Sequence, residues 1–268
     1  MTAGVDHRDC HDHHACAQQV SHDHARDHHR YSSSRSRSPV KTHLSLQYAH
    51  DEKLPAGYSN EVRSPDALVE RFLVAHSEPG DRVFDPFAGF GTTLVTAERL
   101  GRVPYGLEYE PDRVAYVRER LDAAGNVRAG DALAFDSDQF PACDLCFTSP
   151  PFVTEAMSTD AFRNYAGESS YGSYLDDATR VVRGIRRVLK PGATVVLDVA
   201  NLKHEGHVTT LAWDLADAVS EVLSFRGEVV VTWEGDGPPG SDGAYGYGYD
   251  HSYCLVFDVP ESEADEPR

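Results

Sequence analysis

Apolar positions along this chain switch repeatedly between a helical and a strand period. Ser64-Pro65-Asp66 opens a helical run over residues 67–74, with proline at the first helical position, where a missing N–H costs nothing. Pro79-Gly80 breaks the chain before a strand at residues 82–85. A helix from about 92 to 100 ends at Gly101, and a strand follows near 105–108. A helix from Pro111 to about 123 precedes a third strand that reaches Asp131. The strand at 144–147 leads into Thr148-Ser149-Pro150-Pro151-Phe152. Next comes a helix with Val181, Val182, Ile185, Val188 and Leu189 on one face, stopping at Lys190-Pro191-Gly192. Residues 193–199 read as a buried strand, and a helix follows near 207–223. Two last strands, 228–233 and 252–259, face each other with no helix between them. Such alternation implies an α/β fold: a doubly wound, mostly parallel sheet covered on both faces, with one antiparallel strand pair at the end.

The two ends lack this order. Residues 1–42 carry eight histidines and then the run Tyr31-Ser-Ser-Ser-Arg-Ser-Arg-Ser-Pro39, with neither period present, so a disordered tail is expected. Cys10 and Cys16 flank several of those histidines, but their spacing matches no standard zinc site, and no metal is expected. Residues 43–260 form the expected domain, and 261–268 a short acidic tail.

Composition narrows the class further. With 40% apolar residues in 268 the chain has the material for a full core, which excludes wholesale disorder. No run approaches the length of apolar residues that a membrane helix needs, and the first 30 residues lack an apolar secretory core. Five cysteines, odd and sparse, argue against a disulfide scaffold. These features together point to a cytoplasmic protein without a membrane partner. The formal charge is −18, yet only Lys41, Lys53, Lys190 and Lys203 are lysines. Many carboxylates with few lysines resemble proteins of a salt-loaded cytoplasm, and a high-GC genome that encodes arginine in place of lysine has the same effect. Acidity alone does not exclude nucleic acid, because a local basic face suffices to bind phosphate.

Candidate chemistry begins where the first strand of the domain meets its helix. In Phe84-Asp-Pro-Phe-Ala-Gly-Phe-Gly-Thr-Thr93, Gly89 and Gly91 let the main chain bend sharply and come close to a ligand. In sheets of this kind ligands dock at that place. Leu94 stands where a dinucleotide fingerprint needs its last glycine, and there is no Walker lysine, so a nucleoside without pyrophosphate fits better. Glu108, 23 residues after Asp85, ends the next strand, where an acid can grip ribose hydroxyls. Asp131 ends the third, where a carboxylate can accept from an adenine amino group. Each acid alone reads more readily as a helix cap or turn residue. Three at successive strand ends beside a glycine turn describe a pocket for S-adenosylmethionine.

Thr148-Ser149-Pro150-Pro151-Phe152 is the second informative segment. Two prolines fix φ and leave stiff carbonyls that can point outward. A planar amino group can donate to such a carbonyl and to Ser149 Oγ, with Phe152 stacked on the ring that bears it. At this point the chain resembles the amino-methylating DNA methyltransferases, which modify N4 of cytosine or N6 of adenine. Residues 85–93 look like that family's cofactor motif and 149–152 like its catalytic motif. The Arg63-Ser-Pro-Asp-Ala-Leu68 helix resembles the segment that closes over the methionine part of the cofactor, and residues 249–257 its last strand.

The resemblance implies a class I S-adenosylmethionine-dependent methyltransferase fold, Rossmann-like, with seven strands. It implies S-adenosyl-L-methionine held by Asp85, Pro86, Phe87, Ala88, Gly89, Gly91, Thr92, Thr93, Glu108, Asp131 and Thr148. It implies a catalytic set of Ser149, Pro150, Pro151 and Phe152. Members with serine at the first catalytic position are mostly similar to N4-cytosine enzymes, so N4 of cytosine in DNA is the favoured acceptor, as in restriction–modification systems. N6 of adenine is the alternative, as are tRNA or rRNA base amines; a non-catalytic cofactor-binding subunit ranks last. Phe152 replaces the commoner tyrosine. Only residues 153–173 and 234–250 are insertions of note, which leaves no room for a large target-recognition domain. Recognition is then short or supplied by a separate specificity or nuclease partner. Arg163, Arg183 and Arg187 are the candidate nucleic-acid contacts, and the tyrosine-rich run 243–249 is a second. Cys143 and Cys146 lie on an expected buried strand and read as packing residues.

Overall fold

The computed structural model describes residues 41–57, 63–204, 206–234 and 251–261. The histidine-rich stretch up to residue 40, the tyrosine-rich run 243–249 and residues 262–268 of the acidic tail lie outside the described residues. The chain order is β1 (His43–Gln47), α1 (Asp66–His76), β2 (Arg82–Asp85), α2 (Thr92–Arg99), β3 (Val103–Glu108) and α3 (Pro111–Arg118). Then come β4 (Val127–Ala129), β5 (Cys143–Thr148), α4 (Tyr171–Val188), β6 (Leu189–Val199), β7 (Leu202–His204) and β8 (His207–Thr209). α5 (Leu211–Ser220), β9 (Ser224–Glu234) and β10 (His251–Asp258) complete the domain.

One eight-stranded sheet runs in the order β1-β9-β10-β6-β5-β2-β3-β4. β10 is antiparallel to both β6 and β9, and the other neighbours are parallel. The expected antiparallel end pair is therefore β9 and β10. The expected seven strands gain an eighth, β1, whose Leu44 and Leu46 alternate with polar residues and whose backbone pairs with β9. Chain order proceeds outward from β2 to β3 and β4, then jumps back to β5 on the other side of β2. That reversal leaves a crevice at the carboxyl ends of β2 and β5, the switch point where ligands bind in such sheets.

Period-2 alternation explains why both faces are covered. Phe84, Cys146, Val195, Leu197 and Phe257 pack with the buried side of α4 and with α5. Their strand neighbours Val83, Leu145, Phe147, Val196 and Val256 point the other way, onto Leu68, Phe72 and Leu73 of α1. α4 buries Tyr174, Ala178, Val181, Val182, Ile185 and Val188, a stripe at helical spacing. Each such large apolar side chain contributes about 1.5–3 kcal/mol by leaving water. Ser170 caps α4 by accepting a hydrogen bond from the Ser173 N–H at 3.1 Å.

Several expected boundaries shift for local reasons. α3 stops at Arg118, and β4 at Ala129 rather than Asp131, because β4 has only three residues opposite β3. The expected helix at 207–223 begins at Leu211, since His207–Thr209 pairs with Leu202–His204 as a small antiparallel hairpin. β6 begins at Leu189, directly after α4, and carries Pro191 and Gly192 past a register shift against β5. Among the described residues no helix is long and apolar enough to cross a membrane.

Gly106 on β3 marks a tight layer contact. A Cβ there would overlap Leu94 of α2 and lie 3.3 Å from Ala88 Cβ. Leu94 is fully buried and has nowhere to move. Gly106→Val is expected to lower unfolding free energy by about 1–3 kcal/mol, read as a lower urea midpoint with an unchanged slope.

Candidate active site

The glycine turn leaves β2 at Asp85 and enters α2 at Thr92. Gly89 and Gly91 take φ of 53° and 82°, conformations that disfavour a side chain. Their surroundings differ. A Cβ on Gly89 meets nothing closer than the Phe87 carbonyl at 3.8 Å, and Gly89 lies in a cavity wall. A Cβ on Gly91 would strike Val117 of α3 at 2.8 Å, so this glycine serves helix packing and lies away from the wall.

Asp85 is buried behind the turn. Its Oδ1 accepts from Thr148 Oγ1 at 2.6 Å and from the Phe87 N–H at 3.0 Å. Burial pushes its carboxyl up to about 6. Asp85, Ala88, Gly91, Thr92, Thr93 and Thr148, expected at the cofactor, thus form the frame behind the cavity; Pro86, Phe87, Gly89 and Glu108 form its surface.

Glu108 reaches back under the turn. Its Oε2 accepts from the Gly89 N–H at 2.7 Å and its Oε1 from the Glu110 N–H at 2.9 Å. Arg113 stands 3.8 Å from Oε1, and burial raises the carboxyl's pKa. Each oxygen keeps a lone pair for a hydroxyl in the cavity. Asp131 departs from its expected place. Its Oδ1 accepts from the Leu133 N–H at 2.8 Å and Oδ2 lies 3.8 Å from Arg163, so the carboxylate holds its own turn. Gly130 and Ala132 on either side line the cavity instead.

Ser149, Pro150, Pro151 and Phe152 all line the same cavity, which measures about 240 Å³. Ser149 Oγ donates to the Asp198 carbonyl at 3.0 Å. The hydroxyl proton is thereby committed, and its lone pairs are left as acceptors. Only one proline carbonyl is open, contrary to the expectation that both point outward. Pro151 O accepts from the Tyr174 hydroxyl at 2.8 Å and Phe152 O from the Tyr165 hydroxyl at 3.1 Å. Among the described residues no donor reaches Pro150 O.

Asp198, near the end of β6, is a site residue that the sequence reading passed over. Its Oδ2 accepts from Ser64 Oγ at 2.6 Å and its Oδ1 from Ser252 Oγ at 3.3 Å, and burial pushes it up to about 6. It lies in the cavity wall and ties the lead-in to α1, β6 and β10 together. The signal was present: a carboxylate inside the apolar run 193–199 of a buried strand needs a reason. Arg113 was also missed as a wall residue, while Arg63, Ser64 and Pro65, from the segment expected to close over the cofactor, do line the wall.

The expected nucleic-acid contacts are not brought to the cavity. Arg183 lies 3.7 Å from Glu221, and neither it nor Arg187 lines the cavity. At 1.5 Å per residue they stand roughly 13 and 20 Å along α4 from Tyr174. Arg163 is bound up with Asp160 at 3.5 Å and Asp131. Cys143 and Cys146 are buried free thiols; burial pushes Cys143 up to about 12 and Cys146 well above its ordinary value, so neither is a nucleophile. Among the described residues no cluster of three or more His, Cys, Asp or Glu could hold a metal.

Sheet order and switch-point cavity define the class: the chain has the fold of class I S-adenosylmethionine-dependent methyltransferases. TrmN from Thermus thermophilus shares it with a TM-score of 0.50 at 21% identity, over 72% of this chain and 48% of that one. A family model described as DNA methylase, that of the N6- and N4-methylating enzymes, matches residues 15–119 and 143–265. The chain belongs to this family. It is 43% identical over 62 residues to the type II methyltransferase M2.DpnII of Streptococcus pneumoniae, 23% of each chain. It is 38% identical over 85 residues, 31% of this chain and 27% of the other, to the DNA adenine methyltransferase YhdJ of Escherichia coli K12. The matched stretches thus span about a quarter of the length of these two relatives.

Family and fold imply S-adenosyl-L-methionine as the cofactor. The residues present fit it. Glu108 offers carboxylate oxygens for ribose hydroxyls, the Asp198 carboxyl suits a cationic group, and the buried Arg63 suits a carboxylate. Burial lowers the Arg63 pKa, so its guanidinium gains from an anionic partner.

A carboxyl whose folded pKa lies above its unfolded value binds its proton better when folded. The folded state therefore loses that advantage as pH rises from about 4 to 6. Asp198→Asn removes this dependence. Its stability relative to wild type, from urea melts of the cofactor-free protein, should rise by roughly 2–3 kcal/mol between pH 4 and 6 and then level off.

Proposed function

We propose that this protein methylates an exocyclic amino group of a base in DNA in the cytoplasm, with N4 of cytosine as the acceptor. One observation carries the proposal: a single cavity is walled both by the Gly89–Glu108 turn and by Ser149–Phe152. A methyl donor and an amine held on those two walls lie within reach of each other.

When bound, S-adenosylmethionine supplies an electrophilic methyl group. The chain's own residues prepare the acceptor. An exocyclic amine is a poor nucleophile because its lone pair is delocalised into the ring. Ser149 Oγ, its proton given to Asp198 O, accepts one N–H, and Pro150 O accepts the other. Two acceptors placed this way draw the nitrogen toward sp³ geometry and localise its lone pair. Phe152 stacks on the base, which in a duplex must leave the helix at a cost of a few kcal/mol. Holding the amine in line with its target is then the main contribution to rate.

Serine at position 149 supports cytosine. The likeness to a DNA adenine methyltransferase supports N6 of adenine as a second reading. Nucleoside mass spectrometry of DNA and RNA from cells with and without the gene decides the acceptor. N4-methylcytosine that appears with the gene supports the proposal; N6-methyladenine establishes the second reading, and a modified RNA base overturns both. In the purified protein Ser149→Ala should lower kcat by about 100-fold or more while the cofactor Kd stays within twofold. Unchanged kcat would remove Ser149 from the chemistry.

A further inference from the structure

The segment between β5 and α4 does more than connect them. Two tyrosine hydroxyls, of Tyr165 in this segment and of Tyr174 in the first turn of α4, donate to successive carbonyls of the catalytic segment. Tyr174 takes Pro151 O at 2.8 Å and Tyr165 takes Phe152 O at 3.1 Å. Tyr174 is 2% exposed and Tyr165 37%; desolvation raises the pKa of both hydroxyls, so they stay protonated donors.

Both tyrosines are held firmly. Asn164 and Tyr165 adopt φ of 53° and 64°, side by side; asparagine tolerates this left-handed conformation, but a bulky tyrosine seldom enters it. Such strain persists only where surrounding contacts over-determine it. Here Asn164 Nδ2 donates to Glu110 Oε1 at 2.9 Å, and the Tyr165 N–H donates to Asp160 O at 2.8 Å. Tyr174 sits in a file of rings. Its centroid is 5.2 Å from that of Phe162, which is 5.8 Å from Phe87 in the glycine turn. On its other side Tyr171 stacks at 6.2 Å and donates to Asp214 at 2.7 Å. The file joins the cofactor turn to the catalytic segment through side chains alone.

We propose that Tyr165 and Tyr174 are positioning residues: their hydroxyls occupy the Pro151 and Phe152 carbonyls, so that Pro150 O is the one main-chain acceptor presented to the target amine. The role in turnover rests on the amine-methylating reading above. Without the two donors the Pro151 and Phe152 carbonyls can turn toward the cavity, and the amine meets competing acceptors at the wrong angle. Glu110, beside the cofactor acid Glu108, anchors the same loop through Asn164, so the two halves of the cavity are set together.

Tyr174→Phe and Tyr165→Phe keep the rings and remove only the donors. Each is tested in the full chain by two measurements. The first is amide hydrogen exchange of residues 152–157 without cofactor or nucleic acid. The second is single-turnover methyl transfer with separate determination of kcat, KM and cofactor Kd. In each variant exchange should rise about tenfold and the transfer rate fall by about tenfold or more, while cofactor Kd stays within twofold. Unchanged exchange in both variants overturns the anchoring. Faster exchange with an unchanged transfer rate overturns the positioning role. A wild-type protein that transfers no methyl group overturns the proposed reaction and the role in turnover, while exchange still decides whether the hydroxyls hold the segment.

Discussion

A buried hydrogen bond of 2.6 Å, from Thr148 Oγ1 to Asp85 Oδ1, joins the ends of the two central strands. It is the constraint on which the site depends. Asp85 starts the glycine turn and Thr148 immediately precedes Ser149, so the bond sets the distance between the cofactor wall and the catalytic wall. Both groups lie at the strand-order reversal between β2 and β5, where the backbone alone leaves a gap. An aspartate 3% exposed in that gap is costly unless it is satisfied, and Thr148 and the Phe87 N–H satisfy it. The turn cannot move without breaking this pair.

The same logic repeats outward. Glu108 holds the turn from β3 through the Gly89 N–H, and Asp198 holds the lead-in to α1 and β10 through Ser64 and Ser252. Three carboxyl groups thus organise the cavity by accepting from neighbours rather than by standing exposed. Their raised pKa values record the cost of burial, which a rigid site tolerates in exchange for fixed geometry. The aromatic file from Phe87 to Tyr171 adds a second, apolar brace across the same two walls.

Much of this was legible from residue order because it is local. Strand, turn and helix signals placed Gly89 and Ser149–Phe152 at strand ends, and an α/β sheet brings such ends together. Asp131 has a local role that residue order also allows: a carboxylate two residues before an N–H can close its own turn, and it does so with Leu133. What stayed hidden depends on distant partners. Asp198 meets Ser64 across 134 positions, and no local pattern announces that. Tyr174 stands at helical spacing with the buried face of α4, and that spacing does not reveal that its hydroxyl reaches Pro151 O. Arg183 and Arg187 show the limit of counting charge along a helix. The pattern reveals which face is polar, but not that they stand two to four turns from the site. β1 escaped because a five-residue strand beside a histidine-rich stretch carries only Leu44 and Leu46 as signal.

The account stands or falls on whether donor and acceptor share one cavity. Isotope-edited NOE spectroscopy of the protein with S-adenosylmethionine carrying a carbon-13-labelled methyl group tests this directly. The account predicts NOEs from that methyl to the Phe152 ring and to the Ser149 β-protons. A bound cofactor whose methyl shows NOEs only to residues outside the Gly89 and Ser149–Phe152 walls would contradict it.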